Sequence, residues 1–149
     1  MTTDHLGMTV LSPETCLDLL GGQTVGRLAV AIRELPDIFP LNYVVDDGSI
    51  VFRTAEGTKL AAAVLGRGVA FEVDGVDESA GEAWSVVVKG RAIEIEAMYE
   101  LLDALDLPLF PWQAAPKHRF VRIVPEETTG RRFRVVDPSA WSDPVRTVT

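Results

Sequence analysis

Short apolar runs rich in β-branched residues recur along this chain, and most are joined by links of hairpin length. Thr24 to Ile32, Ile38 to Val45, Ser49 to Thr54, Val69 to Val73, Trp84 to Ile95, Arg119 to Val124 and Thr129 to Val136 each read as a strand. Asp46-Asp47-Gly48-Ser49 carries the Asp-Gly signal of a tight hairpin turn. Antiparallel strands this short must hide their edges by pairing or closure. The pattern therefore predicts a mainly β fold, a small closed β-barrel with peripheral helices over its open ends.

Three helices fit between the strands. Ser12-Pro13-Glu14 is a helix start, with Ser12 as N-cap and Pro13 in the first turn; Leu17 and Leu20 share a face, and Gly21-Gly22 ends the helix. Thr58 to Leu65 is Ala- and Leu-rich and stops at Gly66-Arg67-Gly68. Glu96 to Leu105 places Met98, Leu101, Leu102 and Leu105 at helical spacing, read as core packing. Asp74 to Gly81 is acidic and polar, the composition of a loop. Lys89-Gly90-Arg91 interrupts the longest strand and predicts a bend or bulge. Leu107 to Trp112 reads as a stiff apolar loop, Pro125-Glu126-Glu127 as the break between the last two strands, and the residues after Pro138 as an extended arm.

With 149 residues the chain suits one domain, 1–149, with a core of about 11–136 and an arm over 137–149. A net charge of −8 opposes a nucleic-acid surface, which needs a basic stripe. One cysteine, Cys16, excludes an intramolecular disulfide and reads as a small buried residue; His5 and His118 are the two histidines, so a metal centre is not expected. The N-terminus lacks the pattern of a secretory signal, and no apolar run approaches the ~20 residues that span a bilayer, so the expectation is a cytoplasmic protein.

One segment suggests chemistry. Between Ile50 and Leu60 a strand ends in Arg53-Thr54, and a helix opens after a short loop with Thr58-Lys59. Two cations, two hydroxyls and the first N–H groups of a helix suit a phosphate. The same residues also suit solvated charges beside a helix cap.

The order of these pieces, from the Gly26-Arg27-Leu28-Ala29-Val30 strand through Pro36 to Val45, the Asp-Gly turn, the Arg53 to Lys59 segment and the Trp84 to Ala92 strand, resembles the pyridoxamine 5′-phosphate oxidase-like flavin-binding split barrels, in particular their short actinobacterial branch. The likeness runs from about Leu11 to Phe133. It implies a split barrel, a homodimer with FMN in the cleft between two copies, and hydride transfer to or from a small molecule. Carried over by motif, Arg53, Thr54, Thr58 and Lys59 would grip the cofactor phosphate; Pro40, Leu41, Asn42 and Tyr43 would run beside the ring; Trp84 and Ser85 would line the same pocket. In Thr129-Gly130-Arg131-Arg132-Phe133, alternation puts the two arginines on opposite faces, and Arg132 is the one expected to reach the site. Trp112 would lie over the pocket.

The chain reads Gly57-Thr58-Lys59 where the oxidases carry a Ser-Arg-Lys run, and it lacks a counterpart of the full set that holds pyridoxamine phosphate. The resemblance thus implies the cofactor fold rather than oxidation of that vitamer. Its short branch also includes reductases that use a deazaflavin coenzyme with an acidic tail, for which Arg27, Arg33, Arg67, Lys89 and Arg91 are candidate partners. A non-catalytic flavin carrier is the alternative of another class.

Overall fold

The computed structural model describes residues 2–3, 8–55, 58–109 and 119–135. Among these, nine strands and three helices follow in the order β1 (Thr2–Thr3), β2 (Thr9–Val10), α1 (Pro13–Gly21), β3 (Val25–Ile32), β4 (Leu35–Asn42), β5 (Val44–Asp46), β6 (Ser49–Thr54), α2 (Lys59–Val64), β7 (Gly68–Asp77), β8 (Glu82–Glu94), α3 (Met98–Leu105) and β9 (Arg119–Arg134).

The pairing circuit closes through one interrupted chain run. β4 pairs with β3 and β5 pairs with β6, and Tyr43 alone separates β4 from β5. From β6 the ladder continues to β9, β8, β7 and back to β3. The strand pattern predicts a small β-barrel with peripheral helices, and this is the split form that the family resemblance implies. Its interior holds Leu28, Tyr43, Ile50, Phe52, Phe71, Val86, Val88, Val121 and Ile123, all buried. α1 stops one end, where Leu20 and Cys16 are buried and Cys16 packs on Gly130. α2 stops the other with Ala63 and Val64. α3 lies outside, its Ala104 and Leu101 packed with Val51, Ile95 and Phe120 over β6 and β9.

Local signals match the observed elements closely. The Ser12 hydroxyl accepts the Thr15 N–H, as its N-cap position requires. Asp47 and Gly48 both take positive φ, 49° and 74°, as a two-residue hairpin turn between β5 and β6 demands. Register slips between Lys89 and Gly90, because Lys89 faces Glu127 while Gly90 faces Pro125, leaving Glu126 as the extra residue.

Three expectations need correction. β7 runs on to Asp77 through the stretch read as a loop, because Asp74 gains an ionic partner in Arg27 and Gly75 makes room for the Trp84 indole. β9 is one strand of 16 residues with no break at Pro125. The bulge sits at that proline, where a missing N–H costs the ladder least. α3 does not bury the stripe assigned to it: Met98 is 71% exposed, with Leu102 and Leu105 also outside, and the inward face is Leu101 and Ala104. Phe110 to His118, with Trp112, and the arm after Pro138 lie outside the described residues, as does His5. No helix among the described residues is long and apolar enough to cross a membrane.

A Cβ on Gly90 would strike the backbone carbonyl of Val124, which cannot move aside without opening the β8–β9 ladder. Gly90→Ala is expected to cost about 1–3 kcal/mol, as overpacking typically does, read as a lower urea midpoint with unchanged m-value.

Candidate functional site

The Arg53 to Lys59 segment joins β6 to α2 at one end of the barrel. Thr58 is the N-cap of α2: its Oγ1 accepts the Ala61 N–H at 3.1 Å and donates to the Ala55 carbonyl at 2.9 Å. Thr54 Oγ1 lies 3.1 Å from the Thr58 oxygen. Each hydroxyl has one proton, and that of Thr58 goes to Ala55, so the Thr54 proton must go to Thr58. Both protons are thus spent within the cap, and Thr54 is buried.

Lys59 turns the other way. Its Nζ is 3.0 Å from Oδ2 of Asp37 on β4, and the ammonium side chain is 74% exposed. Oδ1 of Asp37 accepts the N–H of Ile38 at 2.9 Å. Hydrogen bonding to Lys59, then to that N–H, holds the Asp37 carboxyl below its ordinary range. Arg53 sits on the opposite face of β6 from Thr54, its guanidinium carbon 4.8 Å from the Phe120 ring centroid and its NH1 3.5 Å from the Leu109 carbonyl. The four proposed phosphate residues therefore do not form one cradle. Thr54 and Thr58 meet, while Lys59 and Arg53 point apart.

A cation that sequence reasoning missed lies nearby. Arg119 is opposite Thr54 in register, 3.3 Å from Glu94, and lines a hollow of about 360 Å³ with Thr58, Ala61, Ala62 and Leu65. Its only sequence signal was the Lys117-His118-Arg119 run at the start of a strand.

The other predicted residues lie along β4 and the far end of β8. Tyr43 is inside the barrel, its hydroxyl donating to the Leu20 carbonyl and its ring edge-on to Phe71 at 4.8 Å. Trp84 is also buried, with its indole 2.7 Å from where a Gly75 Cβ would stand. Arg132 is opposite Trp84, and its Nε is 3.7 Å from Glu82. Ser85 faces the other way, opposite Asp74 and Arg131. Because cross-strand partners share a face, Arg131 rather than Arg132 stands with Ser85. Pro40 and Asn42 lie on that outer face too, while Leu41 alternates inward.

Among the described residues this outer side of the barrel is bare. The outward residues of β3, β7 and β8, including Arg27, Ala29, Ala70, Glu72, Ser85 and Val87, are half-buried or exposed, unlike those beneath α3. A shallow hollow of about 440 Å³ lies on it, floored by Ala29, Ala31, Gly68 and Ala70. One edge is the side of β4 that has no strand partner among the described residues. Pro36 and Pro40 have no N–H to give β3, so the even-numbered residues turn their backbone groups outward. The Ile38 N–H is already taken by Asp37, leaving an edge dominated by carbonyl acceptors. Beside it, Arg27 contacts Glu72 at 2.5 Å and Asp74 at 3.0 Å. Burial, reinforced by a hydrogen bond to Asp74, pushes the Glu72 carboxyl up against the opposing pull of Arg27.

Of the cations proposed for an acidic tail, Arg27 is held by these two carboxylates, and Arg91 lies 4.0 Å from Glu126 and donates to the Gly66 carbonyl. Lys89 is exposed on the bare side; Arg33 sits in the β3–β4 turn and Arg67 just before β7. Among the described residues no group of three carboxylate, histidine or cysteine ligands suits a metal ion. The donor set fits a flat heteroaromatic ring with its own N–H donors, laid along the acceptor edge of β4, and an anionic group near Lys59. The five steps from Asp37 to Asn42 span about 17 Å, room for an elongated nucleotide.

A family model described as pyridoxamine 5′-phosphate oxidase matches residues 12–132. The chain is 34% identical over 128 residues to the uncharacterized protein Rv0080 of Mycobacterium tuberculosis, covering 83% of this chain and 84% of that one. It is similar to the FAD binding protein from Mycobacterium smegmatis, with a TM-score of 0.78 and 41% identity over 86% of this chain and 100% of that one. It is also similar to a FAD-binding protein from Mesorhizobium loti, with a TM-score of 0.65 and 28% identity over 84% of this chain and 96% of that one.

Thr58→Ala removes the cap acceptor of α2 and is expected to cost about 1 kcal/mol, whereas Thr58→Ser, which keeps the oxygen, should cost much less. Thermal melts of the two variants check this. Equal losses would assign the effect to the methyl group rather than the cap.

Proposed function

The chain belongs to the pyridoxamine 5′-phosphate oxidase family, and from that membership we propose that it is a flavin-dependent oxidoreductase that binds its cofactor on the bare side of the barrel. The observation that carries the reading is the open edge of β4. It offers backbone acceptors to a ring, carries Asn42 at one end, and leads at its other end to Lys59. Relatives that share 41% and 28% identity are FAD-binding proteins, which supports a flavin over other flat ligands. FMN is the form that the sequence resemblance implies.

A flavin supplies hydride transfer when bound. The residues of this chain bind, orient and exclude water: the β4 edge aligns the ring, and Lys59 attracts the phosphate. A second copy completes the pocket. Leu35 and Ile38 are 72% and 62% exposed on the edge strand, and a barrel side with small residues and a shallow hollow suits a face-to-face homodimer with a cofactor between copies. No acid–base pair is required of the protein for hydride transfer, so the substrate is a small molecule that accepts or gives hydride.

The test is titration of the purified protein with FMN, FAD and a deazaflavin coenzyme, followed by absorbance and fluorescence. Saturable flavin binding is expected; binding of the deazaflavin alone would move the chain to the reductases that use it. Bound flavin that nicotinamide nucleotides do not reduce, and that reoxidises no faster than free flavin, would make the protein a carrier. Lys59→Ala is expected to weaken flavin binding about tenfold, the effect of losing one exposed charge-assisted contact. Unchanged affinity would remove Lys59 from the site.

A further inference from the structure

Lys59 does not stand alone at the phosphate end. Asp37 Oδ2 is 3.0 Å from its Nζ, and the other oxygen of the same carboxylate is anchored by the Ile38 N–H at 2.9 Å. The anchor matters because the carboxylate cannot swing away from an incoming anion without surrendering a backbone donor. Nearby groups do not compensate. The hydroxyl protons of Thr54 and Thr58 are spent within the cap, Arg119 is 3.3 Å from Glu94, and Arg53 lies on the other face of β6. Lys59 and Asp37 together contribute no net charge.

We propose that Asp37 is a specificity-determining residue: by offsetting Lys59 it removes the advantage that the doubly charged phosphate monoester of FMN would otherwise have over the singly charged diester phosphates of FAD. This inference rests on the flavin-binding reading above. A phosphate monoester carries about −1.5 to −2 at pH 7, against one charge on each phosphate of a diester. The extra charge gains from Lys59 and loses to Asp37, which is as close and is fixed in place. A unit charge at about 4 Å from a carboxylate in water costs about fivefold in affinity, and more where solvent is excluded. FAD spreads its charge over two phosphates, so only the nearer one meets the carboxylate at that range.

The experiment titrates the full-length protein and Asp37→Asn with FMN, FAD and riboflavin at pH 7.5, following flavin fluorescence. Asparagine keeps the oxygen that accepts the Ile38 N–H, so the strand edge is preserved and only the charge is removed. In Asp37→Asn, FMN should tighten about fivefold more than FAD does, with riboflavin, which has no phosphate, unchanged. Contacts made by the adenylate are common to both proteins, so the change in the FAD-to-FMN ratio isolates Asp37. A substitution that shifts both forms equally overturns the inference while leaving flavin binding intact. Failure of all three ligands to bind either protein overturns the flavin reading and the inference with it.

Discussion

One residue lets this sheet close. The run from Leu35 to Asp46 serves two neighbours, β3 with its first part and β6 with its second, and the change of partner happens at Tyr43. Tyr43 is held from three directions: its N–H donates to the Thr24 carbonyl, its hydroxyl to the Leu20 carbonyl on α1, and its ring packs edge-on against Phe71 at an interplanar angle of 72°. Burial pushes the phenol up to about 12, so it remains a donor at any physiological pH. A single side chain thus ties the bend, the barrel interior and the helix that stops one end.

The bend also divides the outside of the barrel. Beyond it, β5, β6 and β9 lie under α3, with Val44, Val51 and Phe120 packed below the helix. Before it, among the described residues, β4 keeps an edge without a strand partner beside the uncovered faces of β3, β7 and β8. The bare side combines apolar small residues with fixed charges, chiefly Arg27 between Glu72 and Asp74. Such a surface is too polar to be an unfinished core and too apolar at Ile38 to favour water alone. The ring proposed above, held between two copies, would meet both conditions.

Sequence reasoning recovered what depends on neighbours in the chain. The Ser12 cap, the Asp47-Gly48 turn and the slip at Gly90 each follow from local backbone chemistry, and each is in the structure. It missed what depends on partners far away. Asp74 looked like a loop residue because Arg27 is distant in sequence. Pro125 looked like a strand break because the bulge opposite Gly90 could not be counted from one strand. The α3 stripe looked like core because periodicity shows that a helix has an apolar face but not which residues meet the barrel. At the site, the motif placed Thr54 beside Thr58 but not the Asp37 that holds Lys59, nor Arg119 across the ladder. The alternation of Arg131 and Arg132 was readable; which of them stands with Ser85 required the β8–β9 register.

The central claim is that a flavin occupies the bare side of the barrel along β4. Hydrogen–deuterium exchange on the purified protein, with and without saturating flavin, tests it most directly. The account predicts added protection at residues 35–42 and 82–87, with α3 unaffected. Protection confined to α3, or no change along β4 when flavin is bound, would contradict it.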